Sequence, residues 1–191
     1  MQNNIFDFTH DEFLRESRTI FLFGEVNEQS AYDVCKKLKY LDYIDSEKEI
    51  ILEINSGGGE VSSGFAIIDT INCIKSPVKG IVCGMAASMA ALILACCTKG
   101  LRYALPHSTI MIHQPLGGLS MSQATDLEIY TKNIIKVKNT INQLLSDVTG
   151  NSIEKIAIDT ERDYYLDAKE AIEYGLIDYI VASRKEEKWT H

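Results

Sequence analysis

The sequence predicts an α/β fold in which repeated β-α-β units build a mainly parallel sheet. Two patterns carry that expectation. Short β-branched runs alternate along the chain with amphipathic helical stretches, and glycines punctuate the passages from strand to helix. The 191 residues are 46% apolar and 24% charged, the balance of one ordinary soluble globular domain and not of a disordered chain. At this length folding buries about 70% of the extended chain's surface, enough for a core without disulfide or metal staples.

Thr19 to Phe23 reads as the first strand, Glu28 to Tyr43 as an amphipathic helix and Glu49 to Ile54 as the second strand. Gly57-Gly58-Gly59 then turns the chain into a helix from Glu60 to Lys75. Val78 to Cys83 is the third strand, Gly84 breaks it, and a short apolar helix holding Ser88 follows. The stretch from Gly80 to Thr98 carries no charge, yet its first half is strand-like and its helix of about ten residues is too short for a bilayer. No membrane segment is expected. Arg102 to Leu105 and Thr109 to Ile112 are strands, followed by the loop from His113 to Gly118 and the longest helix, Gln123 to Thr149. In that helix Leu127, Tyr130, Ile134, Val137, Ile141, Leu144 and Val148 alternate steps of three and four. Such a seam suits either the domain's own core or the surface of another subunit. Gly150 ends the helix. Asn151 with Glu154 caps a short helix, Asp167 with Glu170 caps another that stops at Gly175, and Ile177 to Val181 is the closing strand. The tail from Arg184 is charged and solvated, with Trp189 as its apolar exception.

Nineteen Lys and Arg against 27 Asp and Glu leave a net charge of -8, which argues against a phosphate-binding surface and so against nucleic acid as a partner. The cysteines Cys35, Cys73, Cys83, Cys96 and Cys97 are odd in number and lack C-x-x-C spacing, so neither a disulfide framework nor a zinc site is indicated. A reducing cytoplasm fits best, and the first residues lack the basic-then-apolar pattern of a secretory signal.

Histidine is scarce. Of His10, His107, His113 and His191, the two near the ends are unpromising, His107 follows Pro106 in a turn, and His113 sits where a strand runs out into a Pro/Gly loop. Ser88 lies among small side chains at a strand-to-helix turn, where helix N–H groups are open to a developing oxyanion. The same Ala-Ala-Ser-Met run equally suits close helix packing and does not match the G-x-S-x-G elbow. The glycine run lacks a P-loop Lys, so it serves either as a simple turn or as a source of free amides. Asp159, Glu161, Asp163 and Asp167 are the acids available to orient a histidine, and Asp167 already has a capping role.

Together these pieces resemble the proteolytic subunit family of the Clp protease, ClpP, whose fold is shared with crotonase-like enzymes. The resemblance runs from Arg18 to Val181. It passes through Ile50 to Asn55 with its Gly turn, Gly84 to Met89, Arg102 to Pro106, Met111 to Gly118, Gln123 to Asp126, Thr160 to Asp163 and Glu173 to Asp178. It implies one domain over 1–191, with an N-terminal segment 1–17, a head of 18–112 and 150–182, a projecting handle loop and helix of 113–149, and a charged tail of 183–191. It also implies a serine endopeptidase in which Ser88 is the nucleophile, His113 the general base and Asp163 its orienting carboxylate. Gly59 and Met89 would supply the oxyanion-hole amides, and Gly117 and Gly118 would flank a groove binding peptide as an added strand. Glu161 and Arg162 would make contacts between two stacked heptameric rings. An AAA+ unfoldase would spend ATP and deliver unfolded polypeptide, and this chain would need no metal or organic cofactor.

Departures from the family pattern accompany the match. The chain before Arg18 is short. Glu53 and Cys73 stand where the rim pocket that receives the unfoldase usually carries aromatics, and a buried carboxylate there weakens apolar docking. Gly57 replaces a usual Pro, and Leu119 to Gln123 is one residue longer than common. These differences motivate one competing expectation, a weakly active regulatory or structural paralogue in a mixed ring. Another is a crotonase-like acyl-CoA enzyme, which leaves the Ser-His-Asp set unexplained.

Overall fold

The computed structural model describes residues 12–117 and 123–181. His10, Gly118, the stretch from Leu119, Trp189 and His191 therefore lie outside the described residues. A helical turn α1 (12–16) leads into β1 (Thr19–Phe23), α2 (Glu28–Ile44), β2 (Ile50–Ser56) and α3 (Val61–Cys73). Then come β3 (Val78–Ala87), α4 (Met89–Ala95), β4 (Arg102–Ala104), β5 (Thr109–Ile112) and α5 (Ala124–Thr149). The chain finishes with α6 (Ile153–Asp159), β6 (Tyr164–Asp167), α7 (Ala168–Tyr174) and β7 (Tyr179–Ile180).

The sheet runs β1-β2-β3-β4-β7 in parallel, as the alternating pattern predicts. Two features differ from the expectation. Gly84 does not end β3: at φ 105 it bends the strand, which continues to Ala87 and changes neighbour. Gly80 to Val82 pair with β4, whereas Met85 to Ala87 pair with β5. The second difference is β6, an antiparallel partner of β5 that the sequence pattern did not announce because only Leu166 of its residues is buried.

One core spans the helix side of the sheet, with Ile20, Leu52, Ile54, Ile67, Val82, Ile93 and Leu94 fully buried. Along α5 the apolar seam divides. Ile141 is buried and Val137, Leu144 and Val148 pack against the core, while Tyr130 and Ile134 are half-buried and Leu127 is exposed; beside the seam, Leu145 is buried and Ile129 and Ile135 are exposed. The expectation of packing on the domain's own core thus holds for the C-terminal half, and the N-terminal half is left uncovered within the chain. Gly150 ends it at φ 80. The α7 cap is the Asp167–Glu170 box expected from sequence. The α6 cap is Ser152 instead of Asn151, whose amide donates to the Tyr174 carbonyl at 2.7 Å and ties α7 to the end of α5. No described helix is long and apolar enough to cross a membrane.

The closing strand is fixed by a buried ion pair. The Asp178 carboxylate accepts from Arg102 Nη2 at 2.6 Å and Nε at 2.9 Å, and from the Gly100 and Arg102 amides. Burial pushes the Asp178 carboxyl up, but the bonds and charge of Arg102 with the Gly100 amide outweigh it, and the net shift is downward. A depressed folded pKa adds stability above the unfolded carboxyl range, and that stability is lost as pH falls through the folded value. Arg102→Met, which strands the carboxylate, therefore lowers stability at pH 7 by about 3–5 kcal/mol. In urea titrations the gap from wild type narrows as the pH is taken below about 4.

Candidate active site

Ser88 is the residue between β3 and α4, with φ 55 and ψ −124. A non-glycine residue held in this region stores roughly 1–3 kcal/mol of backbone strain. The surroundings enforce it: Ala87 pairs with Met111 of β5, and the Ser88 amide donates to the Met111 carbonyl at 2.8 Å. The helix that follows is buried along its length, so the chain cannot relax outward.

Met111 and Ile112 pair with Tyr165 and Tyr164 of β6. One further step in that antiparallel register sets His113 opposite Asp163, fifty residues away in sequence. His113 Nδ1 lies 3.0 Å from Asp163 Oδ1, and Nε2 lies 2.8 Å from Ser88 Oγ. With the carboxylate ionised, Nδ1–H donates to Asp163 and Nε2 accepts from the Ser88 hydroxyl, which fixes the tautomer. The other acids stand elsewhere. Asp159 holds Lys155 and the Tyr174 hydroxyl, Asp167 caps α7, and the Glu161 carboxylate reaches Lys138 at 3.4 Å. His107 is exposed in the turn between β4 and β5.

The glycine turn closes against this serine. A Cβ on Gly58 would lie 2.7 Å from both the Ala87 carbonyl oxygen and Ser88 Cβ, at φ 91, so only glycine admits the approach. Gly59, at φ 150, has Val26 backbone where a Cβ would stand. The bonds of this turn run from the Gly58 amide to Ser56 Oγ, from Val26 to the Gly58 carbonyl and from Glu60 to the Val26 carbonyl, leaving the Gly59 amide unused in it. Met89, first residue of α4, has no intrahelical acceptor for its own amide. Gly59 and Met89 both line a cleft of about 240 Å³ beside Ser88 and His113. Its apolar wall is made by Val61, Leu92, Leu116, Ile141 and Leu145. Of these wall residues only Ile141 was singled out from the sequence, as part of the α5 seam, and none was assigned to a cleft.

Comparison with known proteins matches the Clp protease family model over residues 3–184. The chain belongs to the Clp protease family. It is 53% identical over 169 residues to the ATP-dependent Clp protease proteolytic subunit 3 of a Synechococcus species, covering 88% of this chain and 84% of the relative. It is 52% identical over 169 residues to subunit 2 of Prochlorococcus marinus, covering 88% and 83%.

Against the Clp protease pattern, the remaining site residues fall as follows. Gly117 is tucked against Tyr130 and Ile134 of α5, and its neighbours Pro115 and Leu116 are the loop residues that line the cleft. Glu161 and Arg162 are exposed, with Glu161 paired inside the chain. Glu53 is half-buried on β2 and accepts from the Cys83 thiol at 3.7 Å, while Cys73 is exposed at the end of α3. Burial, then the Glu53 carboxylate, pushes the Cys83 thiol up to about 11. Gly58→Ala is expected to destabilise the chain by about 1–3 kcal/mol, whereas Gly57→Ala, with open space at its Cβ, stays within about 0.5 kcal/mol. Thermal melts of the two variants check this.

Proposed function

We propose that the chain is the proteolytic subunit of an ATP-dependent Clp protease, a serine endopeptidase that hydrolyses peptide bonds in unfolded polypeptide delivered by an AAA+ unfoldase. The observation that carries the reading is the chain of hydrogen bonds Asp163–His113–Ser88 opening onto a cleft with two available amides. In this mechanism His113 Nε2 takes the hydroxyl proton as Ser88 Oγ attacks the scissile carbonyl, and Asp163 stabilises the imidazolium. The Gly59 and Met89 amides stabilise the oxyanion, each such donor being worth about 100- to 1000-fold in rate. His113 then protonates the leaving amine, and water, deprotonated by the same imidazole, releases the acyl group from Ser88. The apolar wall receives the side chain preceding the scissile bond. No metal or organic cofactor enters the chemistry, and ATP is spent by the unfoldase.

Assembly belongs to the same proposal: two stacked heptameric rings, with the exposed half of α5 and the Glu161–Arg162 corner at the contact between them. A cytoplasmic setting is consistent with five free thiols. A second reading, a regulatory subunit in a mixed ring, draws on Glu53, a carboxylate on the face where docking is expected to be apolar.

Intact mass after fluorophosphonate treatment separates the two. One adduct per chain is expected in the wild type and none in Ser88→Ala. His113→Ala and Asp163→Asn should lower kcat on a short peptide by roughly 10⁴-fold. An unlabelled wild type that runs at ring size on gel filtration overturns the peptidase and favours the regulatory subunit.

A further inference from the structure

Asp163 is poorly held for a group on which a histidine depends. Its side chain is 55% exposed, and His113 is its one side-chain partner among the described residues. Its position therefore comes from the backbone that carries it, the turn from Thr160 to Asp163 between α6 and β6. That turn is fastened to the end of β5 by a single residue, the one that follows His113. The Gln114 amide donates to the Thr160 carbonyl at 2.7 Å, and Gln114 Nε2 donates to the Glu161 carbonyl at 3.1 Å. Thr160 is itself buried, its hydroxyl bonded to the Ile156 carbonyl at 2.7 Å, so the first bond anchors to fixed structure. The second bond reaches out along the turn, to within two residues of Asp163.

We propose that Gln114 is a positioning residue for the Asp163–His113 pair, its carboxamide clamping the acid-bearing turn at the spacing the imidazole requires. The inference rests on the peptidase reading and concerns the geometry of the same site. The β5/β6 ladder ends at Ile112 and Tyr164, one step short of the pair. Beyond it one main-chain bond, from the Gln114 amide to the Thr160 carbonyl, holds the base of the turn, and the Gln114 carboxamide adds the bond nearer Asp163, to the Glu161 carbonyl. The pair is thus enclosed between the last ladder rung and the clamp. A donor on a side chain of this length is what the turn requires. Methionine matches the length without the donor, and lysine restores a donor with comparable reach.

The test measures kcat and KM on a short fluorogenic peptide, and the rate of fluorophosphonate labelling, for wild type, Gln114→Met, Gln114→Lys, Asp163→Asn and the Gln114→Met/Asp163→Asn double variant. Gln114→Met should lower kcat and labelling about tenfold with KM within about twofold, since a small misplacement of a catalytic group acts on the chemical step. Gln114→Lys should recover most of that loss. In the Asp163→Asn background the added Gln114→Met should change kcat by less than about twofold, because the residue acts through the acid that is already missing. The proposal is overturned if Gln114→Met retains wild-type kcat, if Met and Lys lose equally, if the loss is the same in both backgrounds, or if Gln114→Met no longer runs at wild-type size. A wild type that neither labels nor cleaves instead removes the peptidase reading beneath it, an outcome visible without any variant.

Discussion

Strand β5 has two partners of opposite sense, and the site depends on their joint register. On one side Thr109, Ile110 and Met111 pair in parallel with Met85, Ala86 and Ala87. On the other, Thr109 to Ile112 pair antiparallel with Asp167 back to Tyr164. The first ladder places Ser88 at the end of β3 and the second places Asp163 at the start of β6, with His113 between them. Because side chains alternate faces along a strand, a slip of one residue in either ladder would turn its group away from the imidazole. The three groups therefore meet through four residues of β5, and the helices around them serve to keep that strand where it is.

The energetics of the serine turn follow from this arrangement. Ser88 occupies a backbone conformation that costs free energy, so something must over-determine it. Its amide is held by Met111, and the next seven residues form a helix in which every side chain is buried, with Leu92, Ile93 and Leu94 inside the main core. A buried Leu or Ile contributes about 1.5–3 kcal/mol, so a few such side chains outweigh the strain. Glycine at position 58 then lets the neighbouring turn close onto Ser88, and Gly59 lines the same cleft as Met89. In the proposed mechanism, hydroxyl, imidazole and amides would thus be in place before substrate arrives, which is the condition for fixed dipoles to act on a developing charge.

Local signals were legible in the sequence and non-local ones were not. The bounds of β1 and β5, the capping box of α7 and the glycine stop of α5 follow from residues within a turn or two, and the structure has them where the pattern put them. Strand β6 went unseen because it is short, mostly exposed and stabilised by a partner far along the chain. The same non-locality left Asp159, Glu161 and Asp163 undecided as partners for His113: each is an acid in a polar stretch, and only the β5/β6 register separates them. Ser88 was ambiguous for a different reason. Small residues around a serine suit packing and suit catalysis alike, and composition reveals neither its positive φ nor its neighbour His113. The resemblance to the Clp protease family supplied the choice in both cases, and in the structure His113 stands within hydrogen-bond distance of both Ser88 and Asp163.

Helix α5 joins the site to the surface. At 26 residues it is about 39 Å long, and it is continuous, so its two halves move together. Its C-terminal half gives Ile141 and Leu145 to the cleft wall, and its N-terminal half leaves Leu127, Ile129 and Ile135 in water. Midway, Lys138 reaches Glu161, whose carbonyl receives Gln114. An exposed ion pair of this kind contributes at most about 1 kcal/mol on its own, so its importance is as a link and not as a brace. Covering the exposed apolar half in the proposed double ring would remove unfavourable surface from water. It would also fix the axis of the helix whose other end walls the cleft and whose middle touches the turn carrying Asp163. In that proposed assembly, the contact between rings and the geometry of the site would be linked through one continuous helix.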